Sequence, residues 1–336
     1  MQPASASLVA APALLASSAA GAGEARCGED QEPRFDFNAI GADGRFLQSK
    51  PGGVGYTGAL RRLDAALRTS ADPFDRELAV ALNVDDVLAP DARMDALARD
   101  AGTGNDPRLY AVAFGACGNF ALGHPNVSTP LACSRLDARH WAQLDAGNGV
   151  PWLDVLQQAD TAGDRAGQQE ALQRLASASR FDTHFGRAPA AVARLRVSSE
   201  DDVSAQLSLA AQAELFDLGE PFRALTFRCH DKADGDADMA AACNAIAAVM
   251  FDHSDSQLAR AIGGSIHKQV TGDPTWLDRA HHEVHDYGEL VGPQLNGPSE
   301  CANARSVLKH WVRMGERGEV ALMRESIAAS AVRVMP

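Results

Sequence analysis

Lysine is scarce in this chain: four of its 336 residues are Lys, and the other 27 basic residues are Arg. Aromatic residues are also few, at 6%. The core must therefore be built mainly from Ala, Leu and Val, small side chains that let helices approach closely but give each helix a modest burial gain. Beyond the N-terminus there is no run of about 18 apolar residues, so no transmembrane helix is expected. Segments of alternating Val, Ile and Thr joined by hairpin turns are missing, which argues against β architecture. Positive charge is in deficit: 31 basic against 44 acidic residues leave a net charge of −13. An acidic surface repels phosphates and anionic lipids, and there is no basic patch with interleaved aromatics, so nucleic acid is not an expected partner. Cys-x-x-Cys pairs are absent, which removes the zinc-ribbon and thioredoxin readings. No Lys follows a Gly-rich loop, so a Walker-type phosphate site is missing too.

What remains is a normal composition for a globular chain, 46% hydrophobic and 22% charged, long enough for one large domain or two ordinary ones. Six cysteines are present. Cys117 with Cys133, and Cys229 with Cys243, have the short separations of local disulfides, and each closure would stabilise by about 3 kcal/mol. Cys27 and Cys301 have no assigned partner at this stage. Residues 8–20 form an apolar stretch of signal-peptide length, and Ala20-Gly21-Ala22 is a small-x-small cleavage site, although no Lys or Arg precedes it. Residues 1–22 are thus expected to be a signal peptide or a disordered Ala-rich tail. Export and disulfides support each other and place the chain in the periplasm or outside the cell, the cytoplasm being the alternative.

Residues 23–57 are rich in Gly, Pro and charge and read as an irregular linker. Helical patterns then recur. Thr57 is expected to cap a segment carrying Leu60, Leu63 and Leu67. Asp72-Pro73 and Asp106-Pro107 each place an N-cap ahead of a Pro at the first helical position, where no backbone donor is lost. Gly118 is expected to end the second of these helices, and Ser134 to cap one running through Trp141 and Leu144. Pro151 starts another, and Gly163-Asp164 turns the chain. Further helices fit 200–217, 237–252, 255–270, 275–288, 301–315 and 318–331. The pattern divides softly near Ser198-Ser199 into helical hairpins over 58–198 and a C-terminal helical region over 199–336, continuous with them. The fold class is all-α, with about a dozen helices in irregular stacked antiparallel hairpins.

Residues 141–176 resemble a tetratricopeptide repeat. Leu144-Asp145-Ala146-Gly147-Asn148 is similar to the Leu-Asp-Pro-x-Asn junction between repeats. Trp152 stands at the first aromatic position, Gly163-Asp164 at the turn and Leu172 at the large apolar position of the second helix. The resemblance implies Trp152 and Leu172 packed between two antiparallel helices, within a tetratricopeptide-like α-solenoid or α-α superhelix. Ala146 replaces the usual Pro, and Leu156, Ala159 and Gln168 depart from the pattern. The Trp-x-x-Leu-Asp-x-x-Asn segment also resembles one in an uncharacterised exported family of gammaproteobacterial proteins, from which no activity carries over. Repeats of this type commonly bind peptides or proteins, so a protein or peptide partner is the expected ligand.

Other motifs carry less chemistry. His281 and His285 lie one helical turn apart within His281-His282-Glu283-Val284-His285 and form a weak metal candidate, with His253 and His267 as distant partners. The spacing is not His-Glu-x-x-His, and two ligands do not complete a zinc site. Asp234, Asp236 and Asp238 alternate as in a calcium loop, but Met239 stands at the position of the turn Gly and Ala245 at that of the bidentate Glu, so helix capping explains them better. Gly53-x-Gly55-x-x-Gly58 lacks the preceding strand of a dinucleotide site and reads as a turn. Gly263-Gly264-Ser265-Ile266-His267 misses the nucleophile elbow and reads as a break between helices. No catalytic residue and no cofactor is assigned. The expected function is a non-catalytic binding or assembly module of the cell envelope; the alternative is a metal-assisted hydrolase using the histidine cluster.

Overall fold

The computed structural model describes residues 54–84, 88–123, 128, 130–197, 200–214, 222–231, 236–295 and 300–334. The expectations for residues 1–22, for most of the 23–57 linker and for Asp234 lie outside them. Among the described residues, fifteen α-helices and one 3-10 helix account for the regular structure. Among the described residues there are no β-strands, only isolated bridges joining Asn148 to Arg180 and Phe181 to Ser254.

The first helices are α1 (Val54–Arg68), α2 (Pro73–Leu82), α3 (Pro90–Thr103) and α4 (Pro107–Gly123). Asp72 caps α2 as expected: its Oδ1 accepts from the Phe74 amide at 3.0 Å. Asp106 does the same for α4 through the Arg108 amide at 3.0 Å. Thr57 is not a cap, because α1 begins at Val54 and runs through it. Gly118 does not end α4, which continues to Gly123. After the 3-10 helix Leu131–Arg135 comes α5 (Ala138–Leu144). Its N-cap is Asp137, bonded to the Arg139 amide, and not Ser134, which lies inside the 3-10 turn that follows Pro130.

Helices α6 (Val150–Ala162) and α7 (Arg165–Ala176) form the hairpin expected from the repeat-like segment. Gly163 adopts φ +67° at its corner, and Asp164 caps α7 through the Gly167 amide. Leu172 is buried, whereas Trp152 is half-buried with the Arg174 guanidinium 5.5 Å over its ring. Gln168 replaces the small residue of the repeat pattern by turning its amide onto the Ala159 carbonyl at 3.3 Å.

The chain continues through α8 (Arg187–Ala193), α9 (Glu200–Glu214), α10 (Phe222–Asp231), α11 (Ala237–Asp252), α12 (Gln257–Thr271), α13 (Thr275–Leu295), α14 (Glu300–Arg317) and α15 (Glu319–Val334). Gly263 and Gly264 lie within α12 and do not break it. A Cβ at Gly263 would sit 2.9 Å from the Ala247 carbonyl oxygen of α11, and one at Gly264 2.8 Å from the Leu277 backbone of α13. The glycine pair thus lets α12 lie close against both neighbours. Most helices adjacent in sequence pack on one another, α6 on α7, α11 on α12 and α12 on α13 most closely, and α1 also packs on α9, α7 on α11 and α8 on α14. These distant pairings turn the hairpins back on one another. One hydrophobic cluster runs from Ala59 in α1 to Leu322 in α15.

Candidate functional site

Two helices far apart in sequence, α8 and α14, meet at a glycine contact that sets up a groove beside them. A Cβ on Gly315 would lie 2.3 Å from the Ala190 Cβ and 2.9 Å from the Gly186 carbonyl oxygen. Gly186 itself adopts φ +80° and abuts the Met314 side chain. Where α8 ends, Gln206 of α9 closes it: the amide nitrogen donates to the carbonyls of Val192 at 2.8 Å, Ala193 at 3.1 Å and Leu195 at 2.9 Å. A buried side chain thereby satisfies carbonyls that a helix end leaves without partners, and it fixes the chain that follows α8.

The result is an open groove of about 510 Å³ between α9, α14 and the end of α8. Its apolar lining comes from Ala193, Leu195, Val197, Val203, Leu308 and Val312. That volume lies in the ordinary range of ligand sites. Along the α14 wall stand Arg305, Lys309 and Arg313, successive members of an i, i+4, i+8 row on one helix face. All three are exposed, and none has an ion-pair or hydrogen-bond partner among the described residues. The field of Arg313 reaches the neighbouring face of α14. Burial first, and then Arg313, push His310 down to about 4, so its imidazole is neutral at pH 7. His310 lies within 3.5 Å of the Tyr287 hydroxyl on α13.

A second polar assembly lies around the Leu-Asp-x-x-Asn junction and is internal. Asn148 donates to Asp145 at 2.7 Å and to the Asp182 carbonyl at 2.8 Å, and its Oδ1 accepts from the amides of Val150 at 3.1 Å and Asp182 at 2.9 Å. Arg180 pairs with Asp145, and Arg187 with Asp182 at 2.8 Å. His184, at φ +61°, is wedged between Asp145 and Asp182, with ring nitrogens 3.5 and 3.1 Å from their oxygens. Burial pulls its pKa down, but the two carboxylates outweigh that and hold it at about 9. Asp255 adds bonds from the Thr183 amide at 2.7 Å and hydroxyl at 2.9 Å. With every partner buried or half-buried, this assembly clasps the α5–α6 joint to the chain entering α8 and to the turn before α12. The repeat-like motif is therefore structural at this point.

The residues singled out from sequence fall in several places. His281 and His285 are exposed on α13. His253 caps α11, and His267 stacks on Trp276 at 3.8 Å while contacting Asn244 at 2.7 Å. These four are not brought together, and no group of three or more metal-ligating side chains occurs among the described residues. Asp236 caps α11 through the amides of Asp238 and Met239, the capping role expected of the acidic cluster. Gly55 and Gly58 fall inside α1, not in a turn, because that helix starts at Val54. Cys117–Cys133 and Cys229–Cys243 are both disulfides, as their spacing predicts. The groove residues carry no recognisable sequence motif; the one signal is the four-residue spacing of Arg305, Lys309 and Arg313.

No family model, curated protein or solved structure matches this chain.

Proposed function

We propose that this protein is a non-catalytic binding module of the cell envelope that seats a segment of a partner protein in the groove between α9, α14 and the end of α8. The observation that carries this reading is the groove itself. It combines an apolar lining, a wall of cations that no described residue pairs, and a frame fixed by the Gly315–Ala190 contact and the Gln206 amide. A concave apolar surface edged by polar groups is the usual form of a peptide-docking groove. An envelope location is supported by the two disulfides, which persist in oxidising compartments, and by the signal-peptide-like residues 8–20. No helix among the described residues is long and apolar enough to cross a membrane. The tetratricopeptide-like hairpin α6/α7 supports a binding role as well, because such hairpins build docking surfaces.

The test is site-specific photo-crosslinking in the protein's own cells. A photoreactive residue at Val312 in the groove is compared with one at Arg165, exposed on α7. The expected result is one identified partner joined at position 312 and absent at 165. Equal labelling at both positions, or none at 312 in folded protein, refutes the reading.

A further inference from the structure

We infer that the occupant of this groove is an acidic, amphipathic peptide segment, with carboxylates placed against Arg305, Lys309 and Arg313 and apolar side chains seated on Leu308 and Val312. The inference rests on the reading of the groove as a docking site and adds the chemistry of the partner.

Charge complementarity over an apolar floor selects this occupant. On α14 the order Arg305, Leu308, Lys309, Val312, Arg313 sets a row of cations beside a row of apolar side chains. The cation row spans about 12 Å at 1.5 Å per residue, with a charge about every 6 Å. A helical partner with Asp or Glu every fourth residue repeats at that interval. An extended partner with acidic alternate residues comes close to it, at about 6.6 Å. In either case the neighbouring face must be apolar to cover Leu308 and Val312. Among the described residues no carboxylate pairs with these cations, so no such pair has to be broken on binding.

Other anionic partners fit less well. A nucleic acid strand would need aromatic platforms for its bases, and no aromatic residue lines the groove. An anionic membrane would meet a protein whose net charge is −13, which repels it outside this one strip.

The test is selection from a displayed library of random 12-residue peptides on the full-length, oxidised protein. It is run in parallel on two variants, the charge reversal Arg305→Glu/Lys309→Glu/Arg313→Glu and the groove-filling Val312→Arg. The substituted side chains are exposed or half-buried, and circular dichroism checks that each variant is folded. The expected outcome is enrichment of peptides alternating Asp or Glu with Leu, Val or Phe. Their binding should weaken about tenfold in the charge-reversed variant, the combined effect of three exposed ion pairs, and should also weaken as salt rises.

Neutral or basic peptides that bind the parent and are lost with Val312→Arg would overturn the acidic-partner inference and leave the docking reading standing. If no selected peptide depends on any of these positions, both fall. Vesicles of anionic phospholipid provide the remaining arm: co-sedimentation with the parent but not with the charge-reversed protein, in the absence of acidic peptide selection, assigns the strip to a membrane and overturns the inference.

Discussion

Replacing glycine by alanine should have opposite effects at different helical positions of this protein, and the sign follows from the neighbouring atoms. In a helix interior the change gains up to about 1 kcal/mol from backbone entropy alone. At Gly102, near the end of α3, an added Cβ meets no atom within 4 Å, so Gly102→Ala should stabilise by about 0.5 kcal/mol. At Gly264 the same methyl lies 2.8 Å from both the nitrogen and Cα of Leu277. These are backbone atoms that no rotamer change can move, so α13 must shift. Overpacking of this kind costs about 1–3 kcal/mol, leaving Gly264→Ala less stable by up to about 2 kcal/mol after a helix gain of about 1 kcal/mol is subtracted. Gly315→Ala should fall at or beyond that upper end, because its Cβ would come 2.3 Å from the Ala190 Cβ and 2.9 Å from the Gly186 carbonyl oxygen. It should also weaken ligand binding, since α14 is pushed away from α8 at the head of the groove. Urea unfolding followed by circular dichroism gives the comparison, with equal m-values showing that only stability has changed. Gly264→Ala and Gly315→Ala as stable as Gly102→Ala would refute the close-packing argument.

The buried clasp should make stability pH-dependent. The contribution of His184 should be complete below about pH 6.5, its unfolded value, and lost as the pH rises through about 9. Burial pushes Asp145 and Asp182 up, but bonds and charges from His184 and the nearby arginines outweigh it and depress both, so they lose their contribution only as the pH falls below about 4. His184→Gln should therefore destabilise at pH 6 and much less at pH 9.5; a loss independent of pH would contradict the assignment. Cys229→Ala/Cys243→Ala should cost about 3 kcal/mol for a loop of this size. The protein isolated without reductant should show the mass deficit of two hydrogens for that bridge, and full reduction in its native compartment would contradict it. His281→Ala/His285→Ala should change stability by less than about 0.5 kcal/mol and leave the zinc content of purified protein unchanged. Stoichiometric zinc lost with that pair would support the metal alternative instead.

Much of the helical architecture is legible in the chain because its punctuation is chemical. Helix α11 falls on the residues predicted, 237–252, since Asp236 is a cap with two amides to accept. The Asp-Pro pairs at 72–73 and 106–107 work for the same reason. Errors arise where two signals compete. Ser134 and Asp137 are both good caps, and the 3-10 turn after Pro130 consumes the first. Gly118 looks like a stop, yet α4 passes through it. The seven residues of α8 carry a Pro and follow a Gly, and no helical pattern is read there; the segment packs against α9 and α14. The Gly263-Gly264 pair misleads most, because glycine marks both helix breaks and close helix crossings, and only the partner helix distinguishes them. The groove is illegible for a related reason. Its residues lie at 193–206 and 305–313, and they meet only through the packing of α14 on α8 and α9.

Exposed cations without an ion-pair partner also occur elsewhere among the described residues, as at Arg165, Arg223 and Lys268. What distinguishes Arg305, Lys309 and Arg313 is their regular row beside an apolar groove, while the buried and half-buried arginines are paired. Arg108 is held by Asp72 at 2.9 Å and by Asp106, Arg187 by Asp182 at 2.8 Å, Arg228 by Asp160, and the fully buried Arg260 by Glu283. With 44 acidic and 31 basic residues, the chain has carboxylates to spare, so unpaired cations are not imposed by shortage. Stability does not explain them either: an exposed ion pair contributes at most about 1 kcal/mol, and like charges one turn apart repel by a few tenths of a kcal/mol, about the size of a favourable pair. Placing Arg305, Lys309 and Arg313 in a row beside an apolar groove therefore works slightly against the fold. It also spends one of only four lysines on that row. What the arrangement does supply is positive potential directed across a concave apolar surface, on a protein that is negative as a whole. Such a surface attracts an acidic amphipathic segment and disfavours basic competitors by like-charge repulsion.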